Sequence, residues 1–190
     1  METTPPPAPT VLRAVSLDFD DTLIESEAMK RAALVRVASA FAGGEAALGR
    51  IQTDSRTGAN VTRHTIFRDF CREVPAARAV GAEALVDRYS EAVREGIATA
   101  TEVHGASRLL AELRDRNVPT FINSATPTSA LQDAVRARGW DRFVSAALGA
   151  PEGGGDKVDN LAEIARRVEC SAAEVAHVGD GANDESAAQR

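Results

Sequence analysis

The period of the hydrophobic pattern changes twice along this chain. Residues 11–16 (Val-Leu-Arg-Ala-Val-Ser) run into Leu17 with the apolar, β-branched character of a buried strand. From Ser26 to Ala100 the apolar positions instead recur at helical spacing. Ala33, Leu34, Val37, Ala40 and Phe41 mark one predicted helix, opened by Ser26 and closed by Gly43-Gly44. A short segment follows at 46–51. Residues 60–74 carry Val61, Ile66, Phe67 and Phe70 and stop at Pro75. The longest predicted helix spans 81–100, with Leu85, Val86, Tyr89, Val93 and Ile97 on one stripe. Beyond Gly105, helices predicted at 107–116, 129–138 and 158–168 alternate with strands at 118–123, 143–148 and 175–178. Such alternation argues for an α/β fold, a doubly wound parallel sheet with right-handed crossovers. The helical block is then an insertion after the first strand. Residues 11–24 and 101–190 form the core, residues 25–100 form an all-helical unit, and the Pro-rich residues 1–10 are expected to be a disordered tail.

Polar chemistry concentrates where two predicted strands end. Asp18-Phe19-Asp20-Asp21-Thr22 follows the first strand, and Gly179-Asp180-Gly181-Ala182-Asn183-Asp184 follows the last. On extended chain, side chains at i and i+2 share a face, so Asp18 and Asp20 are expected to reach one site. If a helix starts near Gly181, Asp180 stands at its N-cap and Asp184 in its first turn. Burying like charges is unfavourable without a cation or proton, and a hard divalent ion with oxygen ligands, Mg²⁺, is the simplest partner.

Composition narrows the function classes. The net charge of the 190 residues is −6 with no basic stripe, which speaks against nucleic acid as a main partner. Lys30 and Lys157 are the only lysines, and Cys71 and Cys170, the only cysteines, read as reduced thiols. The N-terminus has no apolar leader, and no apolar run approaches the roughly 20 residues that span a membrane. A cytoplasmic enzyme, monomer or homodimer, with no membrane partner is expected.

Four motifs, in order, resemble the haloacid dehalogenase superfamily of phosphohydrolases. Asp18-Phe19-Asp20-Asp21-Thr22 matches its DxDxT loop, and Ser124 in Phe121-Ile122-Asn123-Ser124-Ala125-Thr126-Pro127 matches its second-strand hydroxyl. Lys157 in Gly155-Asp156-Lys157-Val158 matches its lysine motif, and Asp180 with Asp184 matches GDxxxD. The resemblance covers nearly the whole chain after Thr10. It implies a phosphatase core with a helical cap closing over the site, similar to phosphoglycolate phosphatase and related sugar-phosphate phosphatases. It implies Asp18 as nucleophile and Asp20 as general acid and base. Lys157 would neutralise the phosphoryl group, and Ser124 with the N–H of Ala125 would bind phosphate at a helix N-terminus. It implies Mg²⁺ held by Asp18, the backbone carbonyl of Asp20, Asp180 and Asp184, with Asp184 orienting a metal-bound water or Lys157. Arg63 or His64, in the polar stretch beginning at Thr57, is a candidate contact to the leaving group. The expected reaction is Mg²⁺-dependent hydrolysis of a small phosphorylated metabolite through an aspartyl-phosphate. The alternatives are a phosphomutase using the same intermediate and a non-catalytic binding protein on the same fold.

The chain departs from the family pattern in three places. Asp21 stands where glycine is common, and Asp tolerates left-handed backbone better than most residues. The run Gly153-Gly154-Gly155 is expected to leave the reach of Lys157 less rigid. The chain ends at Arg190, where the family continues, so the final strand is expected to be missing and the strand at 175–178 to form an exposed edge.

Overall fold

A computed structural model describes residues 11–55, 62–150 and 156–189. The expected tail at 1–10, the glycine run at 153–155 and the start of the polar stretch at Thr57 lie outside the described residues. The chain forms two compact units. Among the described residues, the first comprises those up to Glu25 and from Thr101 on, the second those within Ser26–Ala100.

The first unit is built on four parallel strands, β1 (Ala14–Leu17), β2 (Thr120–Pro127), β3 (Ala146–Ala150) and β4 (Val175–Val178), in the order β3-β2-β1-β4. Its helices are α6 (Ala106–Asp115), α7 (Thr128–Ala137), α8 (Lys157–Arg167) and α9 (Ala182–Ala188), with a 3₁₀ turn at Ala172–Glu174. Strand alternation decides what each face meets. Ala14 of β1 and Phe121 of β2 pack against Ile164 of α8, with Ala146, Leu148 and Val175 beside them. The alternate positions Leu17, Ile122 and Ala147 are equally buried and point away from α8. Helices α6 and α7 pack on β2. Trp140 is buried, edge-on to Phe19, and donates its indole N–H to Ser107 Oγ at 2.8 Å, which satisfies the one polar atom it carries inward.

The second unit is all helical: α1 (Glu27–Ala38), α2 (Gly44–Ser55), α3 (Arg63–Glu73), α4 (Pro75–Val80) and α5 (Ala82–Thr99). Leu34, Val37, Leu48, Ile51, Phe67, Phe70, Leu85 and Val86 form its core. Phe70 sits edge-on to both Phe41 and Phe67. Pro75 stops α3 and then serves as the first residue of α4, where its missing N–H costs nothing. The periodicity had not shown α4, and α2 runs longer than the short segment expected at 46–51.

Three strand boundaries differ from expectation. Strand β1 starts at Ala14, and Val11 and Leu12 are exposed, because ladder pairing with β4 begins only at Ala14. Strand β3 lies at 146–150 rather than 143–148. Strand β2 continues through Ser124 to Pro127, with an irregular register between Asn123 and Pro127. Strand β4 lies beside central β1, as expected, and has β1 as its one strand partner among the described residues.

Candidate active site

Both acidic turns leave neighbouring parallel strands at the same end. Leu17 pairs with Val178, and the N–H of Asp18 continues the ladder by donating to Val178 O at 2.8 Å. Register therefore fixes Asp18 against the Gly179-Asp180 turn. After Asp18 the chain folds back at once. Leu23 and Ile24 both donate to Phe19 O, and Asp21 donates to Ile24 O at 2.7 Å. Asp21 adopts φ +54°, the left-handed conformation that its residue type tolerates. The chain thus leaves extended geometry right after Asp18, and Asp20 stands on a tight turn rather than on continued strand. Asp18 joins the acidic cluster, while the carboxylate of Asp20 receives the Thr126 hydroxyl at 3.1 Å.

Carboxylate oxygens of Asp18, Asp180 and Asp184 lie within 4.8 Å of one another. Lys157 stands among them, its Nζ 2.7 Å from Asp18 Oδ1 and 2.5 Å from Asp184 Oδ1. Asp18, Asp184 and Lys157 are all close to buried. Burial pushes Asp18 above the usual carboxylate range, against the hydrogen bond and charge of Lys157 and the N–H of Phe19, and the charge of Asp184 pushes the same way as burial. For Asp184 burial also acts upward, but donors win. Lys157 and His177 donate to it, the charge of Lys157 adds to this, the N–H of Gly181 donates to Oδ2 at 3.1 Å, and the carboxyl is held below its ordinary value.

Lys157 is held in place by hydrogen bonds on both its helix side and its sheet side, while the glycine run before it lies outside the described residues. It is the first residue of α8. Asp156 caps that helix, accepting from the N–H groups of Val158 and Asp159, and Asp159 accepts from the N–H of Asp156 in return. The carbonyl of Lys157 accepts from the Asn123 side chain at 3.0 Å. Asn123 in turn accepts from Asn160, which also donates to the carbonyls of Leu148 and Gly149. Two asparagines thus tie β2, β3 and α8 together directly behind the lysine.

Ser124 is buried, and its Oγ accepts the N–H of Thr126 at 3.0 Å, which leaves the hydroxyl proton to be donated outward. Ala125 is exposed within β2, and α7 begins only at Thr128, after Pro127. Ala125 is therefore not at a helix N-terminus, because strand pairing between Pro127 and Ala150 carries β2 past it. Ser124, Ala125, Lys157, Asn160, Asn183 and Ser186 line a cavity of about 350 Å³. Gly181 takes the N-cap position of α9, and exposed Asp180 stands one residue earlier, accepting from Thr22 Oγ1 at 3.5 Å. Arg63 opens α3 in the helical unit and is half-buried there.

Sequence reasoning missed four supports of this site: His177, Thr126, the pair Asn123 and Asn160, and Gly179. The buried ring of His177 bridges Ser16 Oγ at Nδ1 (3.0 Å) and Asp184 Oδ1 at Nε2 (2.9 Å). With Nε2–H donating to the carboxylate, Nδ1 is left to accept from Ser16. The register of β1 against β4 puts Ser16 and His177 at paired positions on adjacent strands, which no local pattern reveals. Thr126 and the asparagine pair carried no local signal. The fourth support is Gly179, where a Cβ would overlap the carboxyl of Asp184. Gly179→Ala is accordingly expected to displace Asp184 and loosen Lys157, lowering kcat by roughly 10²-fold, since small misplacements cost that much. A kcat for Gly179→Ala within twofold of wild type would contradict that packing argument.

Three negative charges against the single positive charge of Lys157 leave a deficit that one divalent cation balances. The donor set is all-oxygen and anionic, which fits a hard ion such as Mg²⁺. Both oxygens of Asp184 already accept from protein donors, so Asp18 and exposed Asp180 have the freer coordination.

Residues 12–190 match the haloacid dehalogenase-like hydrolase family, and the chain belongs to it. No match is found among curated protein sequences. The fold is similar to that of a predicted phosphoglycolate phosphatase from Haemophilus somnus, with 15% identity, a TM-score of 0.70, and coverage of 94% of this chain and 81% of that one. It is similar to YfnB from Bacillus subtilis, whose structure is bound to magnesium (18% identity, TM-score 0.66, 94% and 85% coverage). CbbY from Rhodobacter sphaeroides, in complex with xylulose-1,5-bisphosphate, is a third (16% identity, TM-score 0.67, 94% and 82% coverage). Among the described residues no helix is long and apolar enough to cross a membrane.

Proposed function

We propose that this hydrolase is a phosphatase that cleaves a small phosphorylated metabolite through an aspartyl-phosphate on Asp18. The observation that carries the reading is the buried ion pair of Lys157 with Asp18 inside the acidic cluster. A carboxylate held in this way is oriented for attack, and the lysine beside it offsets charge repulsion as a phosphate dianion approaches. When bound, Mg²⁺ would supply charge neutralisation for the nucleophile and the phosphate, held by Asp18 and Asp180 with the Asp20 carbonyl.

In the first half-reaction Asp18 forms a bond to phosphorus while the ester oxygen leaves with a proton from Asp20. In the second, Asp20 takes a proton from water, the water oxygen bonds to phosphorus, and the Asp18–phosphorus bond breaks. Ser124 donates its free proton to a phosphate oxygen. A carboxyl at position 20 favours ester hydrolysis, since an alkoxide leaving group needs that proton.

Release of inorganic phosphate from 4-nitrophenyl phosphate, followed by a panel of phosphorylated sugars and hydroxy acids, tests the proposal. Activity is expected with Mg²⁺, to vanish on chelation, and to fall when Ca²⁺ competes, because Ca²⁺ takes more ligands at longer distances. Full activity after exhaustive chelation would overturn the metal assignment.

A further inference from the structure

Thr126 has no role assigned by the four motifs and lies 106 residues from Asp20 in sequence, yet its Oγ1 donates to Asp20 Oδ2 at 3.1 Å. We propose that Thr126 is the positioning residue for Asp20, setting the carboxyl orientation that the proton transfers require. The inference rests on Asp20 being the general acid and base of the proposed reaction.

Three features make Thr126 a fixed point rather than a chance neighbour. First, its N–H is anchored to buried Ser124 Oγ at 3.0 Å. Second, its carbonyl is pressed against Gly149 of β3, where a Cβ would overlap both Thr126 O and the Thr128 backbone. Third, it lies in the irregular stretch of β2. From Asn123 to Pro127 the strand advances four residues while β3 advances two, from Leu148 to Ala150. Extra residues in one strand break the alternation and re-aim side chains. This bulge presents the Thr126 hydroxyl to a carboxylate on the turn after β1. A hydroxyl donating to one carboxyl oxygen fixes the plane of the group. The second oxygen then carries the transferable proton in a defined direction. The same strand segment supplies Ser124 for the phosphate, so phosphate and proton donor are registered by one bulge.

The test is leaving-group dependence, which a purely structural role would not alter. Wild type, Thr126→Val, Thr126→Ser, Thr126→Ala and Asp20→Asn are assayed on aryl phosphates running from 4-nitrophenyl to 4-methoxyphenyl phosphate, whose leaving groups need increasing protonation. Thr126→Val keeps the branched shape and loses the donor. It is expected to lose roughly tenfold more rate on the methoxyphenyl than on the nitrophenyl ester, in line with a hydrogen bond to a charged group. Thr126→Ser is expected to restore most of the difference, and Thr126→Ala serves if the valine variant does not fold. In an Asp20→Asn background the Thr126 substitution is expected to add little, since its partner is gone. Equal losses on both esters in the Thr126 variants, with a clear split in Asp20→Asn, would overturn the Thr126 role alone. No split in Asp20→Asn would remove the general-acid assignment and the positioning role with it.

Discussion

Replacing Asp18 with asparagine is expected to cut turnover by on the order of 10⁴-fold or more and, in metal-free protein at neutral pH, to raise the unfolding temperature. The two effects share one cause. Asp18 is buried, and burial holds its carboxyl above the usual range despite Lys157. A group whose folded pKa is raised is ionised less readily in the folded than in the unfolded chain. Above that pKa its charge therefore costs stability, and the cost vanishes in the amide. Asp184 works in the opposite sense. Its pKa is held down, so its contribution is present above the ordinary carboxylate range and is lost as pH falls through the folded value. Asp18, the proposed nucleophile, is thus the strained member of the cluster and Asp184 the satisfied one. Thermal melts and phosphate-release assays on the same preparation check both arms. Wild-type turnover in Asp18→Asn would rule out the covalent route, and a lower melting temperature would rule out the strain.

Lys157→Met is expected to lower kcat by roughly 10²–10³-fold and to destabilise the fold by about 3–5 kcal/mol. Methionine fills similar volume, so the loss is electrostatic. Asp18 and Asp184 would then stand close together with side chains 8% and 6% exposed and no intervening cation. Lys157→Arg is not expected to rescue, because the planar fork cannot place one compact charge between two carboxylates. Denaturant titrations with and without Mg²⁺ check the argument, since an added divalent ion should restore part of the lost stability. A variant that keeps both kcat and the unfolding midpoint would show that Lys157 is a spectator.

The parts legible in the sequence were those whose signal is local. The strand–Asp turns at Asp18 and Asp180, the lysine motif and the helical run from Ser26 to Ala100 all rest on patterns a few residues long, and the four-stranded parallel sheet follows from their alternation. The extent of β2 was not legible, because Ser124-Ala125-Thr126-Pro127 lacks the apolar alternation of a strand and is held by pairing with β3. The anchoring of Lys157 was hidden as well. It comes from Asn123 and Asn160, which are distant in sequence and chemically unremarkable. The capping box of Asp156 and Asp159 was present in the sequence and does the same work from the helix side. His177 illustrates the general limit. A lone histidine in an apolar strand has no partner until the strand order is known, and only the register of β1 against β4 supplies Ser16.

That register has a consequence for chain topology. Ser16 and His177, which meet at the heart of the site, are 161 residues apart. Closing so long a loop carries an entropic cost of roughly 4–5 kcal/mol, which scales only with the logarithm of length. The helical unit at Ser26–Ala100 accounts for nearly half of that loop, yet deleting it would ease closure by only about 0.6 kcal/mol. Residues can therefore accumulate between the first strand and α6 at almost no thermodynamic expense to the catalytic centre. Selection on that segment is left free to act on what it does rather than on how long it is.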